Sequence, residues 1–311
     1  MKIFRSFEEW DIQDKIIATL GTFDGLHLGH QFILKDLNNI AKNQNGKSLL
    51  ISLHPHPRIV LNQSQNLKLI QTLEEKIAFI QTLSIDYLFL LPFNREIAEL
   101  SAEEFLTDIL FGRLNIDTLL IGYDHRLGKN REGNFELIYE IGKKLKKNVF
   151  KLKEFFYQGQ KISSTIIRNL ILEGNIVKAN ELLGRPFVIS GVVVEGDKRG
   201  RVLGFPTANI AIPDPYKILP ANGVYSCKVL IDDQIYYGVA NLGVRPTFNQ
   251  PKHQIEVHIL DFSHDIYQKN IILEFYEFIR SEKKFNHIEE LKNQIQEDIK
   301  TARKFFNLTV V

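Results

Sequence analysis

The stretch Gly21-Thr22-Phe23-Asp24-Gly25-Leu26-His27-Leu28-Gly29-His30 gathers glycines, a carboxylate and two imidazoles. The apolar run Ile16–Leu20 before it predicts a buried strand, and Phe32, Ile33 and Leu37 after it fit one face of a helix. A strand-to-helix turn leaves backbone N–H groups unpaired at the positive end of the helix dipole, where an anion is favoured. Gly25 and Gly29 let the backbone bend sharply and approach a ligand closely. His27 and His30, three residues apart, share one side of the opening helical turn and could stabilise charge developing on phosphorus. Two such histidines could also be metal ligands, but no Cys cluster or His-Glu-x-x-His pattern accompanies them.

Three further segments carry candidate chemistry. Ile162-Ser163-Ser164-Thr165-Ile166-Ile167-Arg168 reads as a helix start, which capping alone would explain. Arg168 falls in the first turns, where a cation gains nothing from the dipole, so a phosphate partner is the better explanation of it. The second segment, 196–209, holds Gly196, Lys198, Gly200, Arg201, Gly204, Pro206, Thr207 and Asn209. It is either a surface loop or a flap over phosphates; if 207–209 is extended, Thr207 and Asn209 point to one side as oxygen ligands for a hard cation such as Mg²⁺. It matches neither the Walker A pattern nor the protein-kinase glycine loop. In the third, Ile255, Val257 and Ile259 alternate toward one face and leave Glu256 and His258 on the other. That face is plain solvent, or Glu256 is a general base for a hydroxyl nucleophile.

Strands and helices alternate through the first half of the chain. Ser48–Leu53, Tyr87–Leu91 and Thr118–Gly122 read as strands, with helical periodicity over Glu74–Leu83 and a capping box at Ser101–Glu104 opening a helix to about Leu110. That pattern predicts a parallel sheet with helices on both faces and ligands beyond the carboxyl ends of its strands. The polar stretch 122–133, with Asp124, His125 and Arg126, follows the fourth strand and reads as a binding loop more readily than as a solvated one. The basic run Lys143–Lys147 is read as a solvated helix end. Leu170–Leu183 is expected to be helical, and Gly184-Arg185-Pro186 places a domain junction near 184, giving domains 1–183 and 184–311. After it, Val188–Val194, Val224–Ile231, Ile235–Ala240, Gln254–Leu260 and Ile271–Phe278 are short strands without intervening helices, the pattern of a small antiparallel barrel. Leu291, Ile295, Ile299, Ala302 and Phe305 then step as an amphipathic helix.

A chain of 311 residues suits two domains. A net charge of +2 argues against a dedicated nucleic-acid binder, and no apolar run approaches the ~20 residues of a membrane span. Cys227 stands alone, which excludes an intrachain disulfide and fits a reducing cytosol, and the charged first residues do not form a signal peptide. Nothing here speaks to oligomeric state.

The His-x-Gly-His stretch after a strand and a Gly-x-Phe-Asp-Gly turn resembles the signature of the HxGH nucleotidyltransferases, which transfer a nucleotidyl group and release pyrophosphate. With His-Pro-His-Pro-Arg at 54–58, Gly-Tyr-Asp-x-Arg-x-Gly-Lys-x-Arg-x-Gly at 122–133 and Ile-Ser-Ser-Thr-x-Ile-Arg at 162–168, it is similar to the adenylyltransferase half of the bacterial bifunctional riboflavin kinase/FAD synthetases. Gly-Phe-Pro-Thr-Ala-Asn at 204–209, Gly-Val-Tyr at 223–225, Asn-Leu-Gly-Val-Arg-Pro-Thr-Phe at 241–248, Glu-Val-His at 256–258 and Ile-Arg-Ser-Glu-x-Lys-Phe at 279–285 resemble its kinase half.

The resemblance covers nearly the whole chain. It implies a Rossmann-like N-terminal domain and a riboflavin kinase-like barrel with a C-terminal helix. Riboflavin would become FMN and then FAD, with ATP as co-substrate, Mg²⁺ as cofactor, and neither nucleic acid nor membrane as partner. ATP would lie against Gly21, Phe23, Asp24, Gly25, His27, Gly29, His30, Ser163, Ser164, Thr165 and Arg168 in the first domain, with flavin at Asp124, His125 and Arg126. His27, His30 and Arg168 would be catalytic there, and Glu256 the base in the second domain. In that second domain the 196–209 segment would hold ATP, Thr207 and Asn209 the metal, and Asn241, Glu256, Arg280 and Phe285 the flavin. Family members often have Phe at the positions of His125 and Leu127, and Gly at that of Gln268. The rivals are a single-activity enzyme of the same build and a non-catalytic flavin- or RNA-binding module.

Overall fold

The run Ile16–Leu20 can be apolar at four positions of five only if both of its faces are covered. In the computed structural model it is the buried strand expected, and even Thr19 is accommodated, its hydroxyl donating to Leu120 O at 3.0 Å. The structure describes residues 1–122, 126–196, 199–245 and 252–309. Contacts divide the chain into two units, residues 1–67 with 76–163, and residues 68–75 with 164–311.

The first unit is built on a six-stranded sheet: β1 (Lys2–Phe4), β2 (Ile16–Gly21), β3 (Lys47–His54), β4 (Tyr87–Pro92), β5 (Thr118–Ile121) and β6 (Asn148–Lys151). Their order is β1-β4-β3-β2-β5-β6, and every pairing is parallel. Leu49, Leu50 and Ile51 on β3 are all fully buried, so both faces of the sheet are covered there. The parallel sheet expected from the sequence is therefore present. Of its outermost strands, β1 has only three residues and β6 buries Val149 alone, so neither leaves an apolar run. A hairpin, β7 (Phe156–Tyr157) with β8 (Gln160–Lys161), precedes Ser163.

The capping box at Ser101 is formed, with Glu104 N–H donating to the hydroxyl at 3.2 Å and Ser101 N–H to the Glu104 carboxylate at 2.8 Å. The helix that follows differs from expectation. After Ala102–Glu104 the chain widens into a π-helix over Phe105–Arg113, with Leu114 N–H reaching Ile109 O. The wider turn buries Phe105, Leu106, Ile109, Leu110 and Phe111 together.

The second unit holds a closed antiparallel barrel of β9 (Phe187–Val194), β10 (Ala208–Ala211), β11 (Gly223–Ile231), β12 (Gln234–Arg245), β13 (Lys252–Ile259) and β14 (Asn270–Arg280), ordered β10-β13-β12-β11-β14-β9. β11 and β12 are joined by Asp232-Asp233, both with positive φ (47° and 64°), as a two-residue hairpin of matching twist requires. The amphipathic helix Ile288–Phe305 packs on β11, β12 and β14, burying Ala302 against Val224 and Val239. Tyr267-Gln268 is a turn, and Gln268 takes a left-handed φ of 64°, a conformation in which glycine is unstrained.

The segment Leu170–Leu183 is two helices, not the single one expected. Ser164–Leu172 and Ile176–Leu183 are separated at Gly174 (φ 78°), and Asn175 caps the second by accepting from Lys178 N–H. Asn180 then ties this helix to the barrel, donating to Phe275 O at 2.8 Å and accepting from Phe187 N–H at 2.7 Å. Residues 68–75 also belong to this unit. Leu69 pairs with Tyr216 and Ile218 through its backbone, and Lys217 forms a buried ion pair with Glu75 at 2.5 Å.

Candidate active sites

β2 ends at Gly21, and the chain turns through residues 22–27 into the helix Leu28–Asn43. The turn has left-handed backbone at Phe23 (φ 46°), Gly25 (84°) and Leu26 (41°), the first and last of which are costly for residues with side chains. Phe23, Asp24, Leu26 and His27 are all buried. His27 caps the helix, its Nδ1 accepting from His30 N–H at 3.3 Å, and the two imidazoles stack with centroids 3.7 Å apart. The Phe23 ring lies 5.0 Å from that of His30. A Cβ on Gly29 would press on the His27 ring at 3.2 Å, so glycine is what lets the imidazole lie flat on the helix start. The expected histidine pair is thus assembled beyond the carboxyl end of a central parallel strand, beside the positive end of a 16-residue helix.

Two side chains hold this turn. Gln31 Nε2 donates to Leu26 O at 2.8 Å, and Lys76 Nζ donates to Thr22 O at 2.7 Å. Burial pushes the Lys76 ammonium below the usual lysine range, partly opposed by the negative charge of Asp24. Sequence reading passed over Lys76. The available signal was a cation in the opening turns of the helix Leu73–Gln81, the same signal that singled out Arg168.

Of the loop expected to bind nucleotide and flavin, Asp124 and His125 lie outside the described residues, and Arg126 is exposed. Leu127 and Gly133 pair backbone to backbone at 2.9 and 3.0 Å and close the loop that follows. Ser163 immediately precedes the helix Ser164–Leu172, whose first two turns carry Ser164, Thr165 and Arg168.

The second site forms where β10 meets β13. Asn209 is the register partner of Glu256, and Gln254, two residues before Glu256 on the same strand face, donates through Nε2 to Asn209 Oδ1 at 2.6 Å and to Glu256 Oε1 at 2.5 Å. Ile255, Val257 and Ile259 are buried while Gln254, Glu256 and His258 are half-buried, the alternation read from the sequence. His258 Nδ1 contacts Pro206 O at 2.8 Å, and its ring meets Phe205 edge-on. Gln254 is a second residue that sequence reading missed, although the period-2 pattern placed it beside Glu256.

The glycine-rich segment lies over this junction. A Cβ at Gly196 would fall on the Asn209 carboxamide, and one at Gly200 would strike Phe205 O and reach 3.3 Å from Thr207 Oγ1. Arg199–Leu203 is a short helix carrying Gly200 and the exposed Arg201, and Gly204 (φ 90°) turns the chain toward Thr207. Lys198 lies outside the described residues. Asn241 on β12 is the other register partner of Glu256.

Residues 10–166 match the family model described as FAD synthetase, and residues 183–306 the one described as riboflavin kinase. A bifunctional riboflavin kinase/FMN adenylyltransferase of Buchnera aphidicola (subspecies Schizaphis graminum) is 40% identical over 99% of this chain and 100% of its own. Proteins of the same description from Bacillus subtilis and Escherichia coli are 39% and 37% identical, over 95% and 96% of this chain and 94% and 95% of theirs. The chain belongs to the bifunctional riboflavin kinase/FMN adenylyltransferase family. A crystal structure titled macrolide-efflux protein, from Streptococcus pneumoniae, has a TM-score of 0.88 and 29% identity, covering 97% of this chain and 98% of that one. Among the described residues no helix is long and apolar enough to cross a membrane.

Within this riboflavin kinase/FMN adenylyltransferase chain the remaining two residues expected at the kinase flavin site are placed as follows. Arg280 ends β14 and forms a two-pronged ion pair with the buried Asp298 of the last helix, at 2.8 and 2.7 Å. Phe285 is half-buried in the connection that follows, where the neighbouring Glu282 fills the space beside Gly243.

Proposed function

We propose that this chain carries out two successive transfers from ATP, riboflavin to FMN in its C-terminal part and FMN to FAD in its N-terminal part. The supporting observation is that each family region, 10–166 and 183–306, carries its own assembled constellation: the stacked His27–His30 pair in one and the Asn209–Gln254–Glu256 group in the other. The two activities are assigned to domains dividing near residue 184, in keeping with where the family matches end and begin.

In the kinase step Glu256 accepts the proton of the riboflavin 5′-hydroxyl as its oxygen bonds to the γ-phosphorus of ATP; the bond to the bridging oxygen breaks, and FMN and ADP leave. Gln254 orients that carboxylate, with Oε1 as its acceptor. Gly196, Lys198, Gly200, Arg201, Gly204 and Pro206 belong to the nucleotide flap, and Asn241, Arg280 and Phe285 to the flavin side. Thr207 and Asn209 fit a hard cation: both are neutral oxygen donors, and the lack of a side chain at Gly196 and Gly200 lets the backbone approach the Asn209 carboxamide and the Thr207 hydroxyl closely. A divalent metal, here Mg²⁺, would neutralise charge on the transferring phosphoryl group.

In the second step a phosphate oxygen of FMN bonds to the α-phosphorus of a second ATP, and the bond to the bridging oxygen breaks to release pyrophosphate. No covalent enzyme intermediate is needed, so catalysis is positioning and electrostatics. His27, His30 and Arg168 neutralise the triphosphate, the backbone from Gly21 to Gly29 and residues Ser163–Thr165 bind it, and Asp124, His125 and Arg126 are assigned to flavin binding. Riboflavin, FMN and ATP are the partners of this reading, and a single buried cysteine suits a cytoplasmic enzyme.

A chromatographic time course with riboflavin, ATP and Mg²⁺ tests this directly. FMN should rise first and then pass into FAD. Absence of any product from riboflavin and from added FMN overturns it.

A further inference from the structure

Lys76 occupies a position that neither its own helix nor ordinary surface chemistry explains. It is the fourth residue of the helix Leu73–Gln81, where the dipole disfavours a cation, and its side chain is half-buried, with burial pushing the ammonium below the usual lysine range. Burying an ammonium is costly without compensation, so its partners indicate what the position is for. They are the carbonyl of Thr22 at 2.7 Å, the hydroxyl of Ser52 at 3.4 Å, and the charge of Asp24.

Those partners share one location. Ser52 is on β3 and is the register partner of Gly21, the last residue of β2; Thr22 is the first residue past it. The ammonium therefore joins the carboxyl ends of two adjacent parallel strands directly under the turn that leads to His27. That turn needs holding, because Phe23 and Leu26 are both left-handed and their side chains are buried. Gln31 fixes its far end through Leu26 O, and Lys76 fixes its near end through Thr22 O.

We propose that Lys76 is a positioning residue of the adenylyl-transfer site. By donating to the Thr22 carbonyl and balancing the buried charge of Asp24, it sets the path of the Phe23–Leu26 backbone, and through it the place of the His27–His30 pair. The inference rests on reading that pair as the adenylyl-transfer site, and the experiment separates the two.

The comparison is of Lys76→Met, Lys76→Arg and His30→Asn in the full chain. Each is assayed separately for riboflavin phosphorylation and for conversion of supplied FMN to FAD, with thermal unfolding and circular dichroism alongside. Lys76→Met keeps the stem of the side chain and removes the charge. It should lower kcat for FMN adenylylation on the order of 10²-fold with a smaller change in the KM for ATP, as small misplacement of catalytic groups does. Riboflavin phosphorylation should be unchanged and a single cooperative melting transition retained, at a somewhat lower temperature because Asp24 loses its counter-charge. Lys76→Arg should recover at least a third of the lost activity on a logarithmic scale. If Lys76→Met adenylylates FMN normally while His30→Asn does not, the role given to Lys76 is wrong and the site stands. If His30→Asn retains adenylylation, the site reading falls and the Lys76 inference with it. If Lys76→Met loses a melting transition, or Lys76→Arg recovers nothing, Lys76 is a folding residue and the positioning role is overturned.

Discussion

Asn209 and Glu256 face each other across the β10–β13 pairing, and one carboxamide group, that of Gln254, donates to both. A carboxylate beside a neutral oxygen donor is an arrangement in which a base and a phosphate- or metal-binding group act on one reaction centre. The bridge keeps Glu256 from swinging toward solvent.

Glu256→Gln should lower riboflavin phosphorylation by about 10²–10⁴-fold, the usual worth of a general base, and leave conversion of supplied FMN to FAD intact. Gln254→Leu, which removes only the bridge, should cost less, about 10-fold in kcat by loosening orientation. Steady-state kinetics on each half-reaction checks both. Equal loss of the two activities in Glu256→Gln would contradict separate sites.

The His27–His30 stack should behave in the opposite sense. Replacing either imidazole by Asn should lower FMN adenylylation by about 10²–10³-fold, as loss of a donor to a developing charge does, with riboflavin phosphorylation unaffected. FMN would then accumulate in the time course without passing into FAD. Prompt FAD formation by the double variant would place the transfer elsewhere.

Both constellations were largely legible in the sequence, for a local reason. His27 and His30 fall within one helical turn, and Glu256 and His258 share one face of a strand. Asp232-Asp233-Gln234 separates two strand-like runs as a hairpin turn, which the structure forms with Asp232-Asp233 alone; each signal spans only a few positions. The break at Gly174 was also written locally, as Gly-Asn, and was passed over in favour of the apolar periodicity on either side. What could not be read joins distant positions. Lys76 meets Thr22 across 54 residues and Lys217 meets Glu75 across 142, and no periodicity records either contact. The π-helix Phe105–Arg113 was hidden differently, since the same apolar residues satisfy an α-helical pattern nearly as well.

Asp86 ties the start of β3 to the approach to β4, accepting from the Ser48 N–H at 3.0 Å, the Ser48 hydroxyl at 2.9 Å and the Lys47 ammonium at 3.1 Å. Burial alone would raise its carboxyl; those hydrogen bonds outweigh burial and hold it below the usual carboxylate range. A carboxyl lowered on folding contributes stability fully above its unfolded value, about 3.9, and loses that contribution as the pH falls through the folded value. Asp86→Asn should therefore lower the melting temperature at pH 7 and change it far less near pH 2. Thermal melts of both proteins across that range measure it, and a constant offset at every pH would show that the charge is not what matters.

Glu75 and Lys217 form an enclosed ion pair, the residues being 6% and 3% exposed. Lys217 Nζ also donates to Ile70 O at 2.8 Å and Val188 O at 2.6 Å, while the Glu75 carboxylate also accepts from the N–H groups of Thr72 at 3.1 Å and Ser190 at 2.8 Å. A pair so fully satisfied is tolerated inside, whereas one partner alone is not. Lys217→Met leaves a carboxylate buried without its counter-charge and should cost about 3–5 kcal/mol, enough to lower the melting temperature by several degrees. Glu75→Gln with Lys217→Met removes the stranded charge and keeps an acceptor oxygen for one of the Thr72 and Ser190 N–H groups, so the double variant should be more stable than Lys217→Met alone. Denaturant unfolding of the wild type, Lys217→Met and the double variant reads the coupling directly. A double variant no more stable than Lys217→Met would mean that the two carbonyls deprived of Nζ, not the uncompensated charge, account for the loss.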